Sequence, residues 1–184
     1  MTDRPSNHPT GLIDKCISSI AKGSQDALTE LYNLTKGAVY AYALSVTKNV
    51  QDAEDVLHDT FVTIYQKAHQ YKSHSKPMAW ILTIAKNLCY QRFRQQGRFC
   101  DMPDEQLERY FVANTQLSAD DRLTILVCLQ KLTDQERQIV VLHAVSGLKH
   151  REIAKLMELP LSTVLSKYKR TIAKLKSILS EENQ

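Results

Sequence analysis

The sequence predicts an all-α chain made of two small helical domains joined by a flexible acidic linker, and three observations carry that expectation. Apolar residues recur at steps of three and four along most of the chain, the period of a helix with one buried face. Glycine and proline together make up only 10 of 184 residues, too few for a turn-rich β architecture. The periodicity is interrupted over RFCDMPDEQLERYFVANTQLS, residues 98–118, a stretch with acids, a proline and no sustained period. This break separates residues 1–97 from residues 119–184. A 43% hydrophobic share can bury a core in each. No run approaches the 18 apolar residues that span a bilayer, and MTDRPSNHPTGLIDK has no apolar leader core. The expectation is a cytoplasmic protein with no membrane insertion.

Taken in order, residues 12–22 predict a short first helix. Ser24 is placed to cap a second over 25–47, whose stripe is Ala27, Leu28, Leu31, Leu34, Ala38, Ala41 and Tyr42. A third covers 51–69, with Ala53, Leu57, Phe61, Ile64 and Ala68 on one face and Asp52, Asp55, Asp59 and Thr63 on another. Pro77 opens a fourth, through Trp80, Ile81, Ile84, Leu88 and Phe93 to residue 96. Beyond the linker, Ser118 caps a helix over 119–131. Thr133 and Glu136 then form a capping box ahead of IVVLHAV, and Gly147 ends that helix. Two more helices follow, over 149–157 and 161–180.

Net charge is only +4, but the signs are segregated. Residues 51–59 hold Asp52, Glu54, Asp55 and Asp59 with no cation. Residues 60–100 hold Lys67, Lys72, Lys76, Lys86, Arg92, Arg94 and Arg98 with no acid, and residues 161–180 hold five cations with none. One such run would be a solvated face, whereas two in a short chain point to a polyanion partner. The cysteines, Cys16, Cys89, Cys100 and Cys128, have neither CxxC nor Cys-His spacing, so neither a zinc site nor a disulfide framework is expected. The histidines show no metal-like pairing. No phosphate loop, HExxH or nucleophile elbow appears, so the chain is not expected to be an enzyme or to need a cofactor.

The segment KHREIAKLMELPLSTVLSKYKRTIAKL carries the sharpest local pattern. A short helix, a tight turn at Glu158–Pro160 and a second helix opening with Ser162 and Thr163 match helix-turn-helix geometry. Ile153, Leu156, Leu159 and Val164 would form its core, with Lys167, Lys169 and Arg170 facing DNA. An ordinary αα-hairpin with a basic surface fits the same letters. Glu158 occupies the turn position where glycine is usual, so the turn must avoid a left-handed residue there or carry its strain. The fourth helix and the YKSHSK loop before it set Tyr90 and Phe93 among cations, a composition suited to single-stranded nucleic acid.

ALTELYNLTKGAVYAYALSVTKNVQDAEDVLHDTFVTIYQKAHQY with KPMAWILTIAKNLCYQRFRQQ resembles the sigma-2 domain of bacterial RNA polymerase sigma factors of the extracytoplasmic-function (ECF) group. LTDQERQIVVLHAVSGLKHREIAKLMELPLSTVLSKYKRTIAKLK is similar to their sigma-4 domain. The resemblance implies a factor that binds core RNA polymerase, through the β′ clamp and β subunits, and directs it to promoter DNA. By the same resemblance Asp52, Asp55 and Asp59 would dock on polymerase. Ser73, His74, Ser75, Lys76, Lys86, Asn87, Arg92 and Arg94 would hold the melted −10 strand. Ser162, Thr163, Ser166, Lys167, Lys169 and Arg170 would read the −35 duplex, and an anti-sigma partner is implied. Leu165 stands where the family commonly has a basic residue. Two other readings stay open at this point: a stand-alone helix-turn-helix regulator, and a protein-interaction module with solvated basic faces.

Overall fold

A computed structural model describes residues 10–73, 76–96 and 131–181 of the chain. All regular structure among them is helical. No described helix is long and apolar enough to cross a membrane. The expected helix over 119–131 lies almost wholly outside the described residues, as do residues 98–118 with Cys100, and Cys128.

Helix α1 (Thr10–Ile20) buries Ile13, Cys16, Ile17 and Ile20, the face set by steps of three and four. It starts two residues earlier than expected. Gly23, at φ 90°, turns the chain, and the Ser24 side chain accepts the Ala27 N–H at 3.3 Å to start α2 (Gln25–Thr47). From Ala38 to Ser45, every residue of α2 is buried. A single stripe was expected, but a helix buried all round sits at the centre of a fold. Helix α2 packs against α1, α3, α4 and the C-terminal helices, so no side of that stretch faces water. The buried hydroxyls of Thr35, Ser45 and Thr47 donate to the carbonyls of Leu31, Tyr42 and Ala43, which removes the cost of burying them.

Lys48 ends α2 in the left-handed conformation, φ 52° and ψ 30°, its N–H returning to the Leu44 carbonyl. Asn49 then caps α3 (Val50–Lys67) by accepting the Asp52 N–H at 3.0 Å. Ala53, Phe61 and Ile64 are buried as expected, but Val56 and Thr60 are buried with them and Leu57 only partly. A short 3₁₀ turn, Ala68–Gln70, follows. Helix α4 (Pro77–Gln96) buries Met78, Ile81, Leu82, Ala85 and Cys89. The expected stripe through Trp80, Ile84 and Leu88 is half-buried. Contact with both α2 and α3 rotates the buried face by about one residue.

The C-terminal unit opens with the expected capping box: Thr133 N–H donates to Glu136 at 2.9 Å, and Glu136 N–H to the Thr133 hydroxyl at 3.4 Å. Helix α5 (Asp134–Val140) widens into a π turn over Val141–Val145, closed by Ser146 N–H to the Val141 carbonyl at 3.1 Å. Gly147, at φ 67°, stops it as the sequence indicates. Helices α6 (His150–Met157) and α7 (Leu161–Glu181) complete the unit. Helix α5 and its π turn rest on α2, and α6 meets α4. The buried clusters of the two halves therefore join into one core.

Candidate functional site

The three carboxylates of α3 converge on one cation. Arg92 of α4 reaches Asp55 at 2.9 Å, Asp59 at 3.2 Å and Asp52 at 3.5 Å. The sequence reading grouped Arg92 with the cations of the −10 surface, whereas here it lies against the acidic face. The helix explains this: Arg92 follows the buried Cys89 by three residues, which points it toward α3. Asp55 and Asp59 keep side-chain exposures of 43% and 48%, so their outer edges remain open to a partner.

On another face of α4, the loop that precedes it is anchored to α1. Asp14 accepts the Tyr71 hydroxyl at 2.6 Å and the Ser73 hydroxyl at 2.5 Å. Tyr71 packs on Trp80 with ring centroids 4.9 Å apart. Sequence reasoning missed Asp14; its partners lie more than fifty residues away, and no local pattern marks it. Lys76, Asn87, Tyr90 and Arg94 are exposed along the loop and helix, and the Lys86 ammonium lies 5.6 Å from the Tyr90 ring centroid. His74 and Ser75 lie outside the described residues. A cleft of about 460 Å³ opens between this surface and α6, with Tyr71, Lys76, Trp80, Lys86, Asn87 and Lys155 among its walls.

The Asp14 carboxyl is held below its ordinary value of 3.8, first by the Ser73 hydroxyl and then by that of Tyr71. A depressed carboxyl contributes stability that is complete above the ordinary value and is lost as pH falls through the lowered one. Asp14→Asn is expected to loosen the loop at neutral pH, costing about 0.5–1.5 kcal/mol. Emission from Trp80, the one tryptophan of the chain, should shift in that variant and in the wild type only under strong acid. An unchanged spectrum would show that Asp14 does not order the loop.

In the C-terminal unit, Ile153, Ala154, Leu156 and Val164 are buried and Leu159 partly so, the core expected for a helix-turn-helix. Glu158 does adopt the left-handed conformation, φ 56° and ψ 39°, and the turn closes through Leu159 N–H to the Ala154 carbonyl at 2.9 Å. Beyond it, Ser162, Ser166, Lys169 and Arg170 are exposed on α7, while Thr163 and Lys167 are half-buried. Spacings of four and three or four place Ser162, Ser166, Lys169 and Arg170 along one side. The inner side is held by Tyr168, whose ring meets those of His143 at 4.8 Å and His150 at 4.7 Å. His143 Nδ1 lies 2.9 Å from the Leu148 carbonyl, in keeping with a structural histidine.

Among the described residues, no three histidine, cysteine, aspartate or glutamate side chains are grouped to hold a metal. Burial pushes the thiols of Cys16 and Cys89 up to about 11 and about 12, so both stay protonated and behave as small apolar residues.

Residues 31–99 match the family described as sigma-70 region 2, and residues 122–175 that described as sigma-70 region 4. The chain is similar to the ECF RNA polymerase sigma factor SigK of Mycobacterium tuberculosis strain H37Rv. They are 26% identical over 179 residues, covering 91% of this chain and 93% of that one. With the ECF RNA polymerase sigma factor SigW of Bacillus subtilis strain 168 it shares 28% over 178 residues, covering 86% and 92%. Among solved structures, the fold is similar to CnrH in complex with the cytosolic domain of CnrY. That match has a TM-score of 0.65 at 23% identity and covers 92% and 98% of the two chains. It is similar too to the sigma factor RpoE bound to the anti-sigma factor NepR from Bartonella quintana, with a TM-score of 0.62 at 21% identity, covering 83% of this chain and 96% of that one.

Proposed function

The chain belongs to the ECF group of the sigma-70 family, and from that premise we propose how its surfaces divide the work of a sigma factor. As an ECF sigma factor it binds core RNA polymerase and directs promoter-specific initiation; it is not an enzyme, because the polymerase performs the chemistry. The domain assignment is residues 1–97 for core and −10 binding, 98–118 as linker and 119–184 for −35 binding. Asp55 and Asp59, with Asp52 behind them, form the edge that docks on the β′ clamp. Arg92 holds that edge in shape. Ser73, His74, Ser75, Lys76, Lys86, Asn87 and Arg94 form the −10 surface, and the exposed side of α7 reads the −35 duplex. Because a sigma factor acts on promoter DNA, we assign the protein to the cytoplasm. Similarity in fold to the sigma factor RpoE, solved with the anti-sigma factor NepR, supports an anti-sigma partner here.

The observation that carries this reading is the side of α7 bearing Ser162, Ser166, Lys169 and Arg170, presented by a helix-turn-helix whose core is closed. Run-off transcription with core polymerase, with and without the chain, is the test. Initiation that depends on both the chain and a −35 sequence supports the reading; operator binding without initiation replaces it with a stand-alone regulator.

Within α7, arginine and lysine should fail differently. A guanidinium can pair with guanine O6 and N7 together, so Arg170→Ala is expected to cost about 1–3 kcal/mol of discrimination at one or two −35 positions. Lys169→Ala should weaken all promoters alike and lower the salt dependence by about one phosphate contact. Selection from a randomised −35 library separates the two. A profile of unchanged shape for Arg170→Ala would move base reading to Ser166 and Lys167.

A further inference from the structure

Two described residues other than glycine have a positive φ, Lys48 at 52° and Glu158 at 56°. Each caps the C-terminus of a helix, the position where glycine carries no Cβ strain. Each also sends its side chain across the boundary between the two halves. Lys48 pairs with Asp134 of α5 at 2.8 Å, and Glu158 pairs with Lys86 of α4 at 2.6 Å. The Glu158 carboxyl lies below its ordinary range because Lys86 donates to it and is positively charged. A charged residue standing in the strained conformation at both caps, and bridging the halves at both, points to a shared role for the two.

The geometry points to a two-point electrostatic latch, Lys48–Asp134 and Lys86–Glu158, that holds the free chain closed with its own C-terminal unit on the −10 surface. The inference rests on the division of surfaces proposed above. Glu158 places a carboxylate on Lys86, where a −10 phosphate would otherwise sit. Helix α6 also forms one wall of the cleft beside Lys76 and Asn87. The closed form cannot engage both promoter elements. Their nominal positions are about 25 base pairs apart, on the order of 85 Å at roughly 3.4 Å per pair. A compact chain of this length has a radius of gyration of only about 16 Å. Binding to polymerase must therefore separate α5 from α2 and α6 from α4, and the latch sets how much DNA the free factor holds before that happens.

The test uses the full chain without polymerase, at one low ionic strength. Glu158→Gln removes the charge and keeps the strained backbone. Glu158→Gly removes both, and Lys48→Gln does for the other pair what Glu158→Gln does for this one. Exposed ion pairs are individually weak, so Lys48→Gln with Glu158→Gln is expected to bind a single-stranded −10 oligonucleotide about two- to tenfold more tightly than wild type. Its radius of gyration by small-angle scattering should rise as well. Glu158→Gly should match Glu158→Gln in DNA affinity but exceed it in thermal stability, which separates the latch from the strain. Unchanged affinity and radius in the double glutamine variant would overturn the latch. Run-off transcription in parallel reports on the sigma reading independently: absent initiation by wild type would sink that reading, whatever the scattering shows.

Discussion

Ile153→Ala is expected to unfold the C-terminal unit at physiological temperature and to abolish −35-dependent initiation. Ile153 is fully buried in the helix-turn-helix core that includes Leu156 and Val164. Truncating a buried isoleucine costs about 2–5 kcal/mol, depending on how far the cavity collapses. Residues 131–181 form a small unit with few fully buried large side chains, chiefly Ile139, Leu142 and Ile153. Domains of this size have little stability to lose. Circular dichroism should show part of the helix content melting early while the rest melts near the wild-type temperature. Initiation at promoters that do not depend on the −35 element should fall less. A single cooperative transition at the wild-type midpoint would mean that this core does not govern the unit.

The second large effect is expected at the acidic edge. Asp55→Lys with Asp59→Lys should weaken core polymerase binding about tenfold to a hundredfold, since a complementary interface turns into a like-charge one. The structure adds a consequence within the chain. Both carboxylates are partners of Arg92, so reversal sets two lysines beside a guanidinium that keeps only Asp52 among its three carboxylates. Because Asp55 and Asp59 are more than a third exposed, the folding cost should stay at about 1 kcal/mol or less. The paired asparagine variants separate these effects, losing the attraction to polymerase without adding repulsion. Unchanged core affinity in lysine variants that retain their helicity would place docking elsewhere.

The helical framework was legible because its punctuation is local. Ser24 and Thr133 cap the helices whose starts they were expected to mark, and Gly147 ends one in the left-handed region. Burial was less legible. Tyr40 and Ser45 lie off the expected stripe, and only the arrival of helices on every side of α2 explains why they are buried. The partner of Arg92 was hidden for a related reason. The acids of α3 and the cations of α4 are segregated along the chain, and nothing in a one-dimensional charge map says which cation folds back on them. Glu158 stands in its turn where glycine is usual and does take the left-handed conformation; its partner Lys86, 72 residues earlier, comes beside it only in the fold.

The π turn at Val141–Val145 has a consequence for how this molecule can change length. A π turn accommodates one more residue than the α-helical turn it interrupts, and it rotates the side chains that follow by about 100° relative to those before it. Ile139 and Leu142 both reach the core although one lies before the turn and the other within it. Loss of one residue here could be absorbed by reverting to a regular helix, whereas loss of one in α2 would swing every later side chain off its packing partner. Insertions and deletions in the C-terminal unit should therefore be tolerated first at this bulge, and length differences between closely related chains should gather there rather than in α7.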